Sequence, residues 1–135
     1  MNLDIFLSPL LVDAQKRKYD IYVVIDLFRA TTAFCTAFNY GIKTILPFAD
    51  MEEARAMKRQ GYLIAGERNG DKLEGFDFGN SPFGFMDESL RGKSLAFTTT
   101  NGTKCIETVK GRGQVVIASY NNLSTVVDYL LAEGK

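Results

Sequence analysis

An unbroken run of five apolar residues lies near the start of the chain, at Ile21-Tyr22-Val23-Val24-Ile25. Such a run is typical of a β-strand that is covered on both faces, as strands of a parallel sheet are. Parallel strands need a crossover connection between them, and this connection is usually a helix. We therefore expect an α/β chain.

Strand-like and helix-like segments alternate through the rest of the sequence. The patterns predict further strands at 3–7, 43–47, 62–65, 94–98 and 114–118. They predict helices at about 31–40, 51–60 and 102–110, and a last helix whose apolar stripe is Leu123, Val126, Val127, Leu130 and Leu131. This order predicts a three-layer α/β/α fold with a mostly parallel sheet, in a single domain over residues 1–135. The stretch 66–88 is predicted to be a long functional loop.

Composition excludes several classes of function. The net charge is zero, which argues against a nucleic-acid partner. No segment reaches the roughly 18 apolar residues of a membrane span, and no signal peptide pattern begins the chain, so we expect a cytoplasmic protein without a membrane partner. There is no histidine, so any metal must take oxygen ligands. Cys35 and Cys105 are predicted to be buried thiols.

Polar loops follow four of the predicted strands. They are Asp26 to Thr32, Gly66 to Gly70, Thr98 to Thr103 and Ser119 to Asn122. Ligands of open α/β sheets bind beyond the carboxyl ends of the strands, so these loops are expected to meet at one edge.

The residue types in these loops indicate an anion site. Three of the loops open a helix, where free N–H groups and the helix dipole attract negative charge. Arg29 and Arg68 can add charge-assisted hydrogen bonds to phosphate or carboxylate oxygens. Asp26 and Glu67 lie on the same predicted edge, and two carboxylates beside an anion site indicate a hard metal ion.

Each of these residues also has an ordinary structural interpretation. Thr31, Thr32 and Asn121 are common helix N-caps. Asp26 can form a turn, and the Glu67-Arg68 pair can be a solvated surface. Only the convergence of the loops favours a functional site.

Four blocks of the sequence resemble those of the 2-phosphosulfolactate phosphatase family, in the same order and at the same spacing. They are Val24 to Thr32, Ala65 to Arg68, Gly75 to Pro82 and Thr98 to Thr103. Phe28 stands where many members carry Leu. Members of this family are longer, so the chain is expected to be the N-terminal part of a longer phosphatase.

The resemblance implies a magnesium-dependent phosphoric monoester hydrolase. Its reaction would convert 2-phospho-3-sulfolactate to 3-sulfolactate and phosphate, a step toward coenzyme M. Asp26 and Glu67 are the expected catalytic residues, and Asp26, Glu67 and Asp77 the expected Mg²⁺ ligands, with the roles of the carboxylates left open. The residues expected to bind the small anionic substrate are Arg29, Thr31, Thr32, Arg68, Asn80, Ser81, Thr99, Thr100, Asn101, Gly102, Thr103 and Ser119.

Two other functions are compatible with the same residues. The edge could bind a phosphorylated metabolite without catalysis, or the phenylalanine-rich loop could be a partner surface. An open sheet edge would also allow a homodimer.

Overall fold

The structure of the protein is a computed structural model, which describes residues 2–134. Over these residues it forms five α-helices: α1 (Pro9–Asp13), α2 (Ala30–Asn39), α3 (Met51–Ala56), α4 (Gly102–Val109) and α5 (Leu123–Glu133). It forms six strands: β1 (Ile21–Ile25), β2 (Thr44–Phe48), β3 (Leu63–Arg68), β4 (Asp71–Lys72), β5 (Ser94–Thr98) and β6 (Gln114–Ala118). Short 3₁₀ helices span Met57–Gln60, Pro82–Phe85, Glu88–Leu90 and Tyr120–Asn122.

The α/β class with mostly parallel strands is confirmed. β1 and β6 pair in parallel, with Ile21 opposite Gln114, and form a sheet of their own. The other strands form a second sheet in the order β2-β5-β3-β4, in which only the short β4 is antiparallel. Helix α4 contacts strands of both sheets, because it packs against β1, β2 and β5.

The main core is built from apolar side chains that point from these strands toward α2 and α4. Phe34 of α2 meets Phe97 of β5 edge to face, with ring centroids 4.7 Å apart. Phe85 packs on the same Phe97 ring at 5.8 Å and is fully buried. Burying a side chain of this size contributes about 1.5–3 kcal/mol, so this trio is a major part of what holds α2 on the larger sheet.

The predicted first strand at 3–7 is wrong. This segment forms no strand, and Leu3, Ile5 and Leu7 are all more than 70% exposed. The oxygen of Ser8 accepts the N–H of Leu10 and begins α1 instead. An alternating pattern becomes a strand only where a neighbour supplies hydrogen bonds, and the described chain pairs no strand with this segment.

The predicted loop at 66–88 contains regular secondary structure. It continues β3 to Arg68, turns through Asn69-Gly70 into β4, and later forms the 3₁₀ helix Pro82–Phe85. The predicted helix at 51–60 is also divided, since its last four residues are 3₁₀. In the predicted stripe of α5 only Val126 is buried. None of the helices in the described part of the chain has the length and apolar character of a membrane span.

Candidate active site

A polar cleft of about 300 Å³ opens at the carboxyl ends of β1, β3 and β5. Four segments of the chain reach this edge: the start of α2, the turn between β3 and β4, the segment before the 3₁₀ helix Pro82–Phe85, and the start of α4. The residues that line the cleft are Asp26, Phe28, Arg29, Glu67, Asn69, Gly70, Asn80, Thr100 and Asn101.

The first turns of α2 and α4 touch each other beside Asp26. A Cβ atom built on Gly102 would lie 2.4 Å from the Cβ of Ala30 and 2.9 Å from Oδ2 of Asp26. Only glycine allows this approach, because real Cβ atoms do not come so close to another heavy atom. Two helix N-termini, each with a positive dipole end, therefore converge next to one carboxylate.

Thr31 holds Asp26 at this position. Its hydroxyl donates to the carbonyl of Asp26 at 2.8 Å and accepts the N–H of Asp26 at 2.9 Å. Thr31 is fully buried, and Thr32 donates in the same way to the carbonyl of Leu27 at 3.0 Å. Both threonines fasten the loop that follows β1, and neither lines the cleft.

A similar pair shapes the loop after β5. The hydroxyl of Thr103 accepts the N–H of Thr99 at 3.1 Å and donates to the carbonyl of Thr99 at 3.0 Å. The hydroxyl of Thr99 in turn accepts the N–H of Thr103 at 3.1 Å. Both side chains are buried, so they hold the start of α4 while Thr100 and Asn101 face the cleft.

Arg29 and Asp26 are the charged groups that the cleft leaves most available. The Arg29 guanidinium makes one hydrogen bond, from Nη2 to the carbonyl of Gly70 at 3.3 Å. The Asp26 carboxylate makes no hydrogen bond or ion pair with any residue that the structure describes. A guanidinium and a carboxylate, each with unused hydrogen-bonding positions, thus lie in one small cleft.

Glu67 is buried and hydrogen-bonded at both carboxylate oxygens. Oε1 accepts the N–H of Thr100 at 2.6 Å, and Oε2 accepts the N–H of Gly70 at 2.7 Å and the hydroxyl of Thr100 at 3.1 Å. Burial acts to raise the pKa of Glu67, but the N–H groups of Thr100 and Gly70, the Thr100 hydroxyl and the charge of Arg68 outweigh it. The pKa therefore lies below its ordinary value, and the group is an anion at neutral pH.

Arg68 does not line the cleft. Its guanidinium donates to the carbonyl of Glu67 at 2.7 Å, to the carbonyl of Ala49 at 3.2 Å and to the hydroxyl of Thr98 at 2.9 Å. These bonds tie β3 to β5 and to the loop after β2. The role of Arg68 in anion binding stays a prediction, since its guanidinium bonds to these three groups and does not line the cleft.

Asn80 reaches the cleft from the segment before the 3₁₀ helix Pro82–Phe85. The residue is only 6% exposed, and its Oδ1 atom is buried without a hydrogen-bond partner in the described chain. Unsatisfied buried polar atoms are costly in native proteins and point to a missing partner. Ser81, predicted beside it, starts the 3₁₀ helix and does not line the cleft.

Asp77 and Ser119 lie outside the cleft. The Asp77 carboxylate accepts the ammonium of Lys58 at 2.8 Å and the N–H of Ile64 at 2.9 Å. Ser119 accepts the N–H of Asn121 and begins the 3₁₀ helix after β6. The three predicted metal ligands Asp26, Glu67 and Asp77 are therefore not brought together, and no cluster of three acidic or thiol groups suited to a metal occurs among residues 2–134.

Three cleft residues were not predicted as site residues: Phe28, Asn69 and Gly70. Asn-Gly is a strong signal for a tight hairpin turn, and here Asn69 has φ 55° and Gly70 φ 91°. That signal could have located the β3–β4 hairpin, which carries Glu67 and the turn to the cleft. Phe28 is 92% exposed at the rim, and no sequence pattern distinguishes it from a core phenylalanine.

Comparison with known proteins agrees with the four sequence blocks. The sequence profile described as 2-phosphosulpholactate phosphatase matches residues 6–135. A protein of Thermotoga petrophila named "Probable 2-phosphosulfolactate phosphatase" is 45% identical over 108 residues, which cover 80% of this chain and 47% of that protein. A protein of Clostridium tetani with the same name is 37% identical over 135 residues, covering 98% of this chain and 58% of that protein.

The chain thus spans about half the length of the curated relatives that it matches. The profile match nevertheless extends over nearly all of its residues and includes every residue that lines the cleft. The chain belongs to the 2-phosphosulpholactate phosphatase family.

Proposed function

We propose that this chain carries the phosphate-binding part of an enzyme that hydrolyses the phosphate monoester of a small acidic hydroxy acid. The proposed substrate is 2-phospho-3-sulfolactate, and the products are 3-sulfolactate and phosphate. The observation that carries the proposal is the contact of the α2 and α4 N-termini beside Asp26, where Gly102 lies against Ala30. The names of the two relatives support the choice of substrate.

The charge distribution of the cleft suits a phosphate ester. Two helix N-termini and the guanidinium of Arg29 supply positive potential, and Asn101 adds an amide at the start of α4. In phosphoryl transfer, catalysis is almost entirely positioning and stabilisation of charge on the phosphoryl oxygens. Arg29 would hold these oxygens, and the carboxylate and sulfonate of the substrate would lie toward the open side of the cleft.

We also propose that one Mg²⁺ ion binds at the cleft, held by few protein ligands. Mg²⁺ commonly takes one or two carboxylates together with the phosphate of the substrate. Asp26 offers a carboxylate without another partner in the described chain, and Asn80 offers the buried Oδ1 atom that lacks one. A bound Mg²⁺ would neutralise phosphoryl charge and lower the pKa of a coordinated water.

The hydrolysis itself requires an in-line water. Its oxygen forms the new bond to phosphorus while the bond from phosphorus to the ester oxygen breaks, and a proton passes to the leaving alkoxide of the hydroxy acid. Asp26 is the group of this chain that we expect to orient the water or the metal. We further propose that the reaction takes place in the cytoplasm and leads toward coenzyme M.

The experiment that tests the function is phosphate release from 2-phosphosulfolactate by the complete protein, with Mg²⁺ and with a chelator. A panel of other phosphorylated hydroxy acids measures selectivity. Release that depends on Mg²⁺ and prefers 2-phosphosulfolactate supports the proposal. Saturable binding of the ester without release of phosphate would instead support a non-catalytic binding module.

A further inference from the structure

We propose that Glu67 is a positioning residue, which holds the Thr100-Asn101 wall of the cleft against the β3–β4 turn and takes no direct part in the chemistry. This inference rests on the proposed function and assigns one role where general acid, general base and metal ligand were the alternatives. It follows from three observations: the occupancy of the carboxylate oxygens, the loops that they join, and the charge state of the group.

The first observation concerns hydrogen-bonding capacity. A carboxylate offers about four acceptor positions. Glu67 uses three of them on Thr100 N–H, Thr100 hydroxyl and Gly70 N–H, at 2.6, 3.1 and 2.7 Å. Two of the three donors are backbone groups, so the carboxylate cannot turn toward a ligand without giving up its short hydrogen bonds to the N–H groups of Thr100 and Gly70.

The second observation is what these bonds connect. Thr100 belongs to the loop between β5 and α4, and Gly70 belongs to the turn between β3 and β4. The Thr100 hydroxyl also accepts the N–H of Asn69 at 3.3 Å. The two loops are therefore joined by this direct hydrogen bond as well as through the Glu67 carboxylate. The Glu67 side chain therefore sets the distance between two walls of the cleft. Arg29 is connected to one of these walls, because its guanidinium donates to the carbonyl of Gly70.

Arg68 extends the connection to a third loop. From the next position in β3 it donates to the hydroxyl of Thr98 and to the carbonyl of Ala49. Successive residues of a strand point to opposite faces, so Glu67 and Arg68 fasten the same strand end from its two sides. The pair Glu67-Arg68 acts as a brace for the strand ends that form the cleft.

The third observation concerns protons. Because its pKa lies below the ordinary value, Glu67 is ionised through the neutral range and has no proton to donate there. A general acid needs a pKa near the working pH, which is the reverse of what this environment produces. Accepting a proton on one oxygen would weaken the hydrogen bond that this oxygen accepts from a backbone N–H group.

The test compares the complete protein with its Glu67→Gln, Thr100→Ala and double variants, with Glu74→Gln as the matched control. Glu74 is exposed, and its side chain makes no hydrogen bond in the described chain. Glu67→Gln replaces one acceptor oxygen with an NH₂ group that faces a donor. Thr100→Ala removes the Thr100 hydroxyl and with it the hydrogen bond from this hydroxyl to Glu67. The readouts are kcat and KM against pH, affinity for inorganic phosphate, and hydrogen exchange of the Thr100 and Gly70 amides.

For a positioning role, we expect Glu67→Gln to raise KM and weaken phosphate binding by about 10-fold, with a smaller change in kcat. The pH profile keeps its shape, and the two amides exchange faster. The double variant is no worse than the more damaging single variant, because both changes break one network. Thr100→Ala gives the same pattern more weakly, and this variant carries the test if Glu67→Gln does not fold.

Three results would overturn the inference. One is loss of the acidic limb of the pH profile in Glu67→Gln with normal phosphate affinity, which would identify a general base. Another is a selective fall in Mg²⁺ affinity with unchanged amide exchange, which would identify a metal ligand. The third is full additivity of the two single variants. If the wild type releases no phosphate, the proposed function fails, while phosphate binding and amide exchange still test Glu67.

Discussion

Gly102, the first residue of α4, lies so close to Ala30, the first residue of α2, that a Cβ atom on Gly102 would stand 2.4 Å from the Ala30 Cβ. The same atom would be 2.9 Å from Oδ2 of Asp26. The contact directs two helix N-termini at one carboxylate. It is therefore both a packing constraint and a source of positive partial charge at the cleft.

Gly102→Ala is expected to destabilise the protein and to disturb the cleft together. The added methyl group must push apart two helix ends that are both buried, and overpacking of this kind costs about 1–3 kcal/mol. Urea denaturation measures the cost, and phosphate titration measures the cleft. Gly84→Ala is the control, because its Cβ would meet nothing nearer than 3.7 Å. Equal stability of the two variants would contradict the tight contact.

Asp26→Asn is expected to lower the rate of phosphate release by about 100-fold or more, the usual effect of removing a preorganised charged group from an active site. Asparagine has the same shape, so circular dichroism and the unfolding midpoint should change little. Asp128→Asn on the exposed side of α5 is the control. Near-normal turnover in Asp26→Asn would show that Asp26 has no part in the reaction.

Arg29→Ala is expected to weaken phosphate binding by about 10-fold or more, because charge-assisted hydrogen bonds contribute about 1.5–3 kcal/mol. The loss should shrink as salt is added, since part of the attraction is long-range. Calorimetric titration with inorganic phosphate measures both effects. Arg59→Ala, at an exposed position outside the cleft, is expected to bind as the wild type does. Unchanged affinity in Arg29→Ala would remove this residue from the anion site.

Asp77→Asn is expected to reduce stability and its dependence on pH, with activity affected only through folding. Burial acts to raise the pKa of Asp77, but the bond from Lys58, the N–H of Ile64 and the charge of Lys72 together lower it. A lowered folded pKa means that the stabilisation is complete above the unfolded pKa of about 3.9 and is lost as the pH falls through the folded value.

At pH about 7 the Asp77→Asn variant should be about 1–2 kcal/mol less stable than the wild type, and the difference should shrink at pH about 3. Urea unfolding at both pH values measures this, with Asp128→Asn as reference. A constant difference across the two values would mean that the Asp77 charge contributes nothing.

Local patterns were sufficient to predict most of the elements. The strands at 94–98 and 114–118 were predicted with their observed bounds, because short apolar runs there end at turn residues. The segment 3–7 has the alternation of a strand but pairs with no strand of the described chain. Its failure shows that a strand is a property of two segments, whereas the helices α2 and α4 carry their hydrogen bonds within themselves.

The structure gives the positions of the predicted site residues, whereas their roles stay predictions. Asp26, Arg29, Glu67 and Asn101 all line the cleft, as their place after strands implied. Arg68, by contrast, is adjacent to Glu67 in sequence and points to the opposite side of β3. The sequence order does not show that its guanidinium is hydrogen-bonded to Ala49, Glu67 and Thr98.

The sequence by itself determined the α/β class, the family and the strand ends at which the cleft opens, because hydrophobic periodicity, turn residues and the four blocks are local properties. Only the tertiary structure decided which polar groups remain available there. It turned Thr31, Thr99 and Thr103 inward to hold the loops and used both oxygens of Glu67 as a brace. It left Asp26 and Arg29 facing the cleft. The reason is physical: a hydrogen bond depends on distance and direction between residues far apart in the chain, and sequence spacing contains neither.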